Sequence, residues 1–329
     1  MRVVVALGGN AMIGPDGSAT PLSQRAAIAA AMSPVADLVA AGHEVVLTHG
    51  NGPQVGNILV KNELAAAVVP PVPLDWCGAQ TQATIGFTML DTLEAALAER
   101  GLTTPVAAIV TRTLVSVDDP GFTHPTKPIG RYLPREQAQT LIDHGEQWED
   151  RGEHGWRRVV ASPEPVDVLE TCTLLTLLGA GYVVVAAGGG GIPVARSANG
   201  QLHGVEAVID KDLTAALLSQ AVGADVLVIA TDVPNAVIHW GTPRAAPIGR
   251  VSLEQAQAYA AEGQFASGSM GPKVEAAMRF VRAGGLRSVI TSLDQIAAAI
   301  DGEVGTVIEG RAEPRPPCPS PPTLPSHER

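Results

Sequence analysis

Short apolar runs alternate along this chain with longer segments of helical periodicity. The first run, Val3 to Leu7, is continuously apolar, as strands buried in a parallel sheet are. Further strands are predicted at 45–48, 106–110, 182–186, 226–230, 288–290 and 306–308. Helices are predicted from Pro21 to about Gly42 and near 80–99, 167–179, 212–222, 252–262, 272–283 and 293–300. This alternation predicts an α/β fold, a three-layer sandwich around a mostly parallel sheet.

Polar residues mark three of the predicted helix starts. Thr20 precedes Pro21, the order expected of an N-cap followed by proline in the first turn. Ser252 with Gln255, and Ser292 with Gln295, each fit a capping box. We therefore expect each hydroxyl to bind a backbone N–H at the start of its helix.

Two segments break the alternation. Residues 115–162 are polar and rich in proline, glycine and charge, which indicates a small protruding subdomain within a domain spanning 1–310. Residues 311–329 contain seven prolines and almost no large apolar side chains. The second segment is predicted to be a disordered tail.

Composition narrows the classes of function. Hydrophobic residues make up 46% of the 329, so a large core can form, and the net charge of −11 argues against nucleic acid as a partner. The three cysteines, Cys77, Cys172 and Cys318, are far apart and form no CxxC pair. The apolar run at the N-terminus is too short for a signal peptide, and no stretch of 18 apolar residues occurs. These features predict a cytoplasmic protein that binds no membrane.

Four short segments are unusually rich in glycine. They are residues 8–10, 49–53, 188–191 and 268–272; the first three follow predicted strands, and the last opens a predicted helix. Ligands of open α/β sheets bind at the carboxyl ends of the strands, where glycine lets backbone N–H groups approach an anion. A single glycine turn is more often only structural, but four together favour an anion-binding site.

The placement of the lysines is a second indication of an anion-binding site. Only four of the 22 basic residues are lysines, namely Lys61, Lys127, Lys211 and Lys273. Lys211 and Lys273 lie at predicted helix starts, where a cation opposes the helix dipole and is unfavourable. Such placement suggests contact with phosphate groups rather than a role in stability. Ordinary surface lysines remain the alternative on this observation alone.

Other catalytic motifs are absent. The sequence contains no GxxxxGK[ST] phosphate loop, no GxGxxG dinucleotide motif, no HExxH zinc motif and no GxSxG nucleophile elbow. His49 lies in a glycine-rich segment, and the sequence leaves open whether it contacts substrate or is structural.

Several motifs together resemble carbamate kinases of the amino-acid kinase superfamily. They are LGGNA at 7–11, HGNGPQVG at 49–56, KPIG at 127–130, RVVASP at 158–163, GVEAVIDKD at 204–212 and GSMGPKVEA at 268–276. They occur in the family's order from residue 3 to about 310. The resemblance implies a homodimer of the amino-acid kinase fold with a protruding subdomain, and the reaction ATP + carbamate ⇌ ADP + carbamoyl phosphate with Mg²⁺. It also implies operation toward ATP in arginine fermentation.

The resemblance further implies roles for particular residues. Catalytic roles fall to Lys127, Lys211, Lys273, Asp210 and Asp212. The residues implied to bind the transferred phosphoryl group and carbamate are Gly8, Gly9, Asn10, Gly50, Asn51, Gly52, Gly189 and Gly190. The nucleotide is expected at Thr231, Asp232, Val233, Met270 and Lys273, and it carries the Mg²⁺, so no residue is assigned as a direct metal ligand.

The sequence departs from the usual pattern of these kinases in a few places. Ala6 stands where many amino-acid kinases carry a lysine, which makes Lys127 the expected source of that charge. Pro234 and Asn235 replace residues that are commonly acidic or aromatic, which affects the expected nucleotide preference, and Gly271 replaces a bulkier apolar residue. A kinase acting on another small acid, a non-catalytic sensor of nucleotide or carbamoyl phosphate, and a nucleic-acid-binding regulator are the alternatives. The acidic charge weighs against the last.

Overall fold

A computed structural model describes residues 1–9, 12–13, 20–265 and 269–310. The helices are α1 Pro21–Ala40, α2 Gly52–Ala65, α3 Leu74–Glu99, α4 Arg135–Asp143, α5 Thr171–Gly179, α6 Lys211–Ala221, α7 Leu253–Ala261, α8 Met270–Arg282 and α9 Ile296–Ala299. The strands are β1 Arg2–Leu7, β2 Glu44–His49, β3 Val106–Ala108, β4 Arg112–Leu114, β5 Lys127–Leu133, β6 Trp148–Asp150, β7 Trp156–Val160, β8 Asp167–Val168, β9 Val183–Val185, β10 Ile192–Arg196, β11 Leu202–Gly204, β12 Val226–Thr231, β13 Val237–Ile238, β14 Ala246–Pro247, β15 Arg250–Ser252, β16 Arg287–Ser292 and β17 Thr306–Glu309.

Eight strands form the central sheet, in the order β15-β17-β16-β12-β1-β2-β9-β3. The pairs from β16 to β3 are parallel, whereas β17 pairs with β16 antiparallel. A second sheet has the order β11-β10-β4-β8, a third has the order β5-β7-β6, and β13 pairs with β14.

Alternate residues of β1 face two separate cores. Val3, Val5 and Leu7 pack with α1 and α3 on one face of the sheet. Val4 and Ala6 pack with α5, α6 and α8 on the other face. Because both faces are covered, the central strands are apolar throughout, and the prediction of three layers around a mostly parallel sheet is confirmed.

Two of the three predicted helix caps are confirmed. The Thr20 hydroxyl accepts a hydrogen bond from the Ser23 N–H at the start of α1, and the Ser252 hydroxyl accepts one from the Gln255 N–H at the start of α7. The prediction for Ser292 is wrong. Its side chain makes no capping bond, and a 3₁₀ turn at Leu293–Gln295 separates it from α9.

Other boundaries also differ from the predictions. Helix α2 was not predicted, α3 begins at Leu74 rather than near residue 80, and residues 167–168 form strand β8 ahead of α5. Within 115–162 lie β5, β6, β7 and α4, with a small core of their own around Leu133, Ala138 and Trp148. The predicted tail, 311–329, lies outside the described residues, so its disorder stays a prediction. Within the described ranges, no helix combines the length and apolarity needed to cross a bilayer.

Candidate active site

Glycine-rich loops follow adjacent strands at one edge of the central sheet. Strands β12, β1, β2 and β9 are neighbours, and the chain leaves them at Thr231, Gly8, Gly50 and the turn Gly188–Gly190. The carboxyl ends of parallel strands meet at the same edge, as expected for a ligand site in this class of fold. A cavity of about 240 Å³ lies there.

Most of the residues singled out in the sequence line this cavity. They are Gly8, Gly9, Gly50, Asn51, Gly52, Lys127, Gly189, Asp210, Lys211, Asp212, Thr231, Asp232 and Lys273. Gly190 does not line it; its carbonyl accepts hydrogen bonds from the hydroxyls of Thr113 and Thr214 beneath the loop. Asn10 lies outside the described residues.

The first two loops touch each other through backbone alone. A Cβ on Gly50 would lie 2.7 Å from the nitrogen of Gly9, so only glycine fits there. The N–H groups of Gly8 and Gly50 donate to the carbonyls of Ala230 and Leu7, which continues the sheet pattern into the loops. The Gly8 N–H is therefore already bonded, so among the described residues of this loop the Gly9 N–H is the amide left to meet an anion.

Helix α2 begins at the second loop. Its first residues, Gly52 and Pro53, line the cavity, so its N-terminus faces the ligand space. The free N–H groups and dipole of a helix N-terminus favour an anion.

Three lysines and two aspartates form a connected network in the cavity. The Lys127 ammonium lies 2.6 Å from a carboxylate oxygen of Asp210. Asp212 holds two ammonium groups, that of Lys211 at 2.6 Å and that of Lys273 at 3.3 Å. Asp210 also caps α6 by accepting from the N–H groups of Asp212 and Leu213. The aspartates thus fix the positions of all three cations.

Burial and charge act in opposite directions on this network. Burial alone would raise the pKa of Asp210, but the charges of Lys127 and Lys211 and the hydrogen bonds from Lys127 and the Asp212 N–H outweigh it, so the pKa is lowered. Burial, reinforced by the neighbouring Lys211, lowers the pKa of Lys273, although Asp212 opposes the shift. Asp210 is therefore a carboxylate at neutral pH.

A second, more apolar cavity of about 420 Å³ shares Thr231, Asp232 and Ser269 with the first. Val233 and Met270, both predicted to contact nucleotide, line it. Trp240 and Phe265 line it as well and were not predicted. Trp240 is 71% exposed in the structure, but the sequence carried no signal that distinguishes such a pocket residue from a core residue.

The described residues contain no group of three or more His, Cys, Asp or Glu side chains arranged to hold a metal ion.

Comparison with known proteins places this architecture in a family. The model of the amino acid kinase family matches residues 1–292. A carbamate kinase of Thermococcus kodakarensis is 44% identical over 313 residues, which cover 93% of this chain and 98% of the relative. The carbamate kinase-like protein YqeA of Escherichia coli is 43% identical, with 93% and 98% covered.

A solved structure agrees with the sequence matches. The carbamate kinase of Giardia lamblia bound to AMP-PNP superimposes with a TM-score of 0.87 at 40% identity, covering 94% of this chain and 98% of that one. The chain therefore belongs to the amino acid kinase family. Within that family, the extent and identity of these matches place it among the carbamate kinases.

Proposed function

We propose that the chain is a carbamate kinase, which transfers a phosphoryl group reversibly between ATP and carbamate. The observation that carries the proposal is the convergence of Lys127, Lys211 and Lys273 with the glycine loops on one cavity. Phosphoryl transfer needs mainly positioning and preorganised positive charge, which such a cavity supplies. The carbamate kinases among the relatives support carbamate as the acceptor.

The position of each residue in the cavity supports the role proposed for it. The Gly9 N–H and the Lys127 and Lys211 ammonium groups would neutralise the transferred phosphoryl group. Carbamate would bind at Gly50, Asn51 and Gly52, next to the N-terminus of α2. Asp210 and Asp212 would hold the lysines in place.

The nucleotide would occupy both cavities. Lys273, Thr231 and Asp232 line the polar cavity and would lie along its phosphates, while the apolar cavity lined by Val233 and Met270 fits a purine base. Mg²⁺ would enter with the nucleotide, because magnesium in kinase sites is held largely by substrate phosphates and water. Asp210 and Asp212 would be the residues near its hydration shell.

Residues 115–162 would act as a lid. Lys127 belongs to β5 in this segment, yet its side chain reaches Asp210 at the N-terminus of α6. The cavity thus acquires one of its cations only when the segment lies against the central domain. Closure of this kind is a common way to assemble a catalytic site around substrate.

The test is ATP formation from ADP and carbamoyl phosphate with Mg²⁺, comparing the purified chain with Lys211→Ala. We expect turnover to fall by about 10²–10³, the scale for losing one preorganised transition-state contact. Lys61→Ala is the matched control, because Lys61 is exposed and does not line the cavity. A folded chain that makes no ATP from carbamoyl phosphate would contradict the proposal and direct attention to other small acids.

A further inference from the structure

His49 is a buried side chain that none of the proposed roles uses. It ends β2, and only 1% of its surface is exposed. Its Nδ1 lies 2.9 Å from the carbonyl oxygen of Gly50. A carbonyl oxygen can only accept, so Nδ1 carries the proton and donates.

The ring is neutral at physiological pH. Burial lowers the pKa of His49 to about 4, and the Lys211 charge adds to the shift while the bond to Gly50 opposes it. A neutral ring that donates from Nδ1 has an unprotonated Nε2. That nitrogen faces Gly188, where a Cβ would clash with the ring. The imidazole therefore bridges the loop after β2 and the loop after β9.

The hydrogen bond to Gly50 also determines where the next N–H points. The described peptide bonds are all trans, and in a trans peptide the C=O and the N–H point in opposite directions. With the Gly50 carbonyl held by His49, the Asn51 N–H points away from the ring.

The Asn51 N–H has the position needed to meet substrate. A Cβ built on Gly9 would lie 3.6 Å from the Asn51 nitrogen, so this N–H is next to the phosphoryl loop. Among the described residues it donates no backbone hydrogen bond, and Asn51 lines the cavity. The Asn51 side chain is already engaged, since its amide nitrogen donates to the Thr81 hydroxyl at 2.8 Å.

We propose that His49 is a positioning residue, whose Nδ1–H fixes the Gly50–Asn51 peptide so that the Asn51 N–H is presented to the carbamoyl group of the substrate. The inference rests on the proposed function, because the group that would meet this N–H is carbamate or carbamoyl phosphate. In this proposal His49 itself contacts no substrate, but it orients the backbone N–H of Asn51, which does.

The test compares His49→Asn with His49→Leu. The Nδ2 of asparagine can occupy the place of the histidine Nδ1 and donate, whereas leucine fills similar space without a donor. We expect His49→Leu to raise the KM for carbamoyl phosphate about tenfold, the size of one hydrogen bond. The KM for ADP should stay unchanged, and His49→Asn should stay within about threefold of the original chain.

A second measurement does not depend on turnover. ¹⁵N NMR of the imidazole at pH 7 should show the Nδ1–H tautomer. Saturating carbamoyl phosphate should shift the Asn51 amide signal by a similar amount in the original chain and in His49→Asn, and by less in His49→Leu. The Nε2–H tautomer, or equal behaviour of the Asn and Leu variants, would overturn the role of His49 alone. A chain that neither binds carbamoyl phosphate nor makes ATP would overturn the proposed function with it.

Discussion

At the scale of single residues, His49 links the site to the stability of the fold. The ring is neutral when buried, but the same residue in the unfolded chain is protonated below its ordinary pKa of 6.5. Between that value and about 4, the unfolded state therefore binds one more proton than the folded state. The free energy of unfolding must then decrease as the pH falls through this window.

We expect this one group to remove about 3 kcal/mol of stability between pH 6.5 and pH 4. Denaturant unfolding at several pH values would measure it. In His49→Asn, which has no proton to gain, the dependence on pH over the same window should be weaker by that amount. Equal slopes in the two proteins would show that His49 is protonated in the fold.

The sequence revealed the charged residues of the site better than its apolar ones. Lysine is so rare in this chain that Lys127, Lys211 and Lys273 could be singled out, and all three line the cavity. Trp240 and Phe265 could not be assigned, because an apolar side chain looks the same in a sequence whether it packs in a core or lines a pocket. The hydrogen bond from the Gly8 N–H to the Ala230 carbonyl depends on how the strands pair, so it could not be predicted from the sequence either.

At the scale of elements, α2 shows why boundaries near a site are hard to predict. The segment from Gly50 to Pro53 was interpreted as a loop because of its glycines, yet the helix begins at Gly52 with Pro53 in its first turn. Proline is favoured in that place, so the signal was present. The error at 167–179 has another cause, since β8 is a two-residue strand that depends on pairing with β4.

The segment that carries Lys127 is attached to the rest of the molecule at identifiable contacts. Ile129 packs into a cluster with Val55 and Leu59 of α2. Beside it, the Arg131 guanidinium lies 2.9 Å from the Glu63 carboxylate, also on α2. These contacts hold β5 against the helix whose N-terminus faces the cavity.

We expect Arg131→Ala to weaken this attachment slightly. Exposed ion pairs contribute about 0.2–1 kcal/mol, so the KM for carbamoyl phosphate should rise by no more than about fivefold. Hydrogen exchange of residues 127–133 should become faster, because the segment opens more often. The matched control is Arg151→Ala, since Arg151 pairs with Glu149 inside the same segment. Equal exchange in both variants would show that the Arg131 pair does not hold the segment.

At the scale of the whole molecule, one edge of the central sheet ends without a partner strand in the described chain. Strand β3 is the last strand of the sheet, and Val110, just beyond it, is largely exposed. Phe87 of α3, the helix that packs on β3, is half exposed. An uncovered strand edge beside exposed apolar side chains is typical of an association surface.

We propose that two copies associate through this edge, which gives the homodimer that the family resemblance implies. Phe87→Glu should shift the purified protein toward monomer, because the change places a charge in an apolar contact. Light scattering during size-exclusion chromatography would measure the mass. Val166→Glu, an exposed apolar position beside β8, is the control and should leave the mass unchanged. A dimer that survives Phe87→Glu would place the interface elsewhere.

The position of Lys127 has a consequence for water as a competing acceptor. ATP and carbamoyl phosphate both release free energy when water takes their phosphoryl group, so a site that stayed fully charged while open to solvent would risk hydrolysing them. Here one cation of the network belongs to β5, whereas Ala6, on β1, contributes no charge to the cavity. Under the proposed roles, the transferred phosphoryl group meets both the Lys127 and the Lys211 ammonium groups only in the arrangement in which the segment that carries Lys127 covers it. Supplying this charge from β5 rather than from position 6 of β1 would thus protect the chain's own substrates.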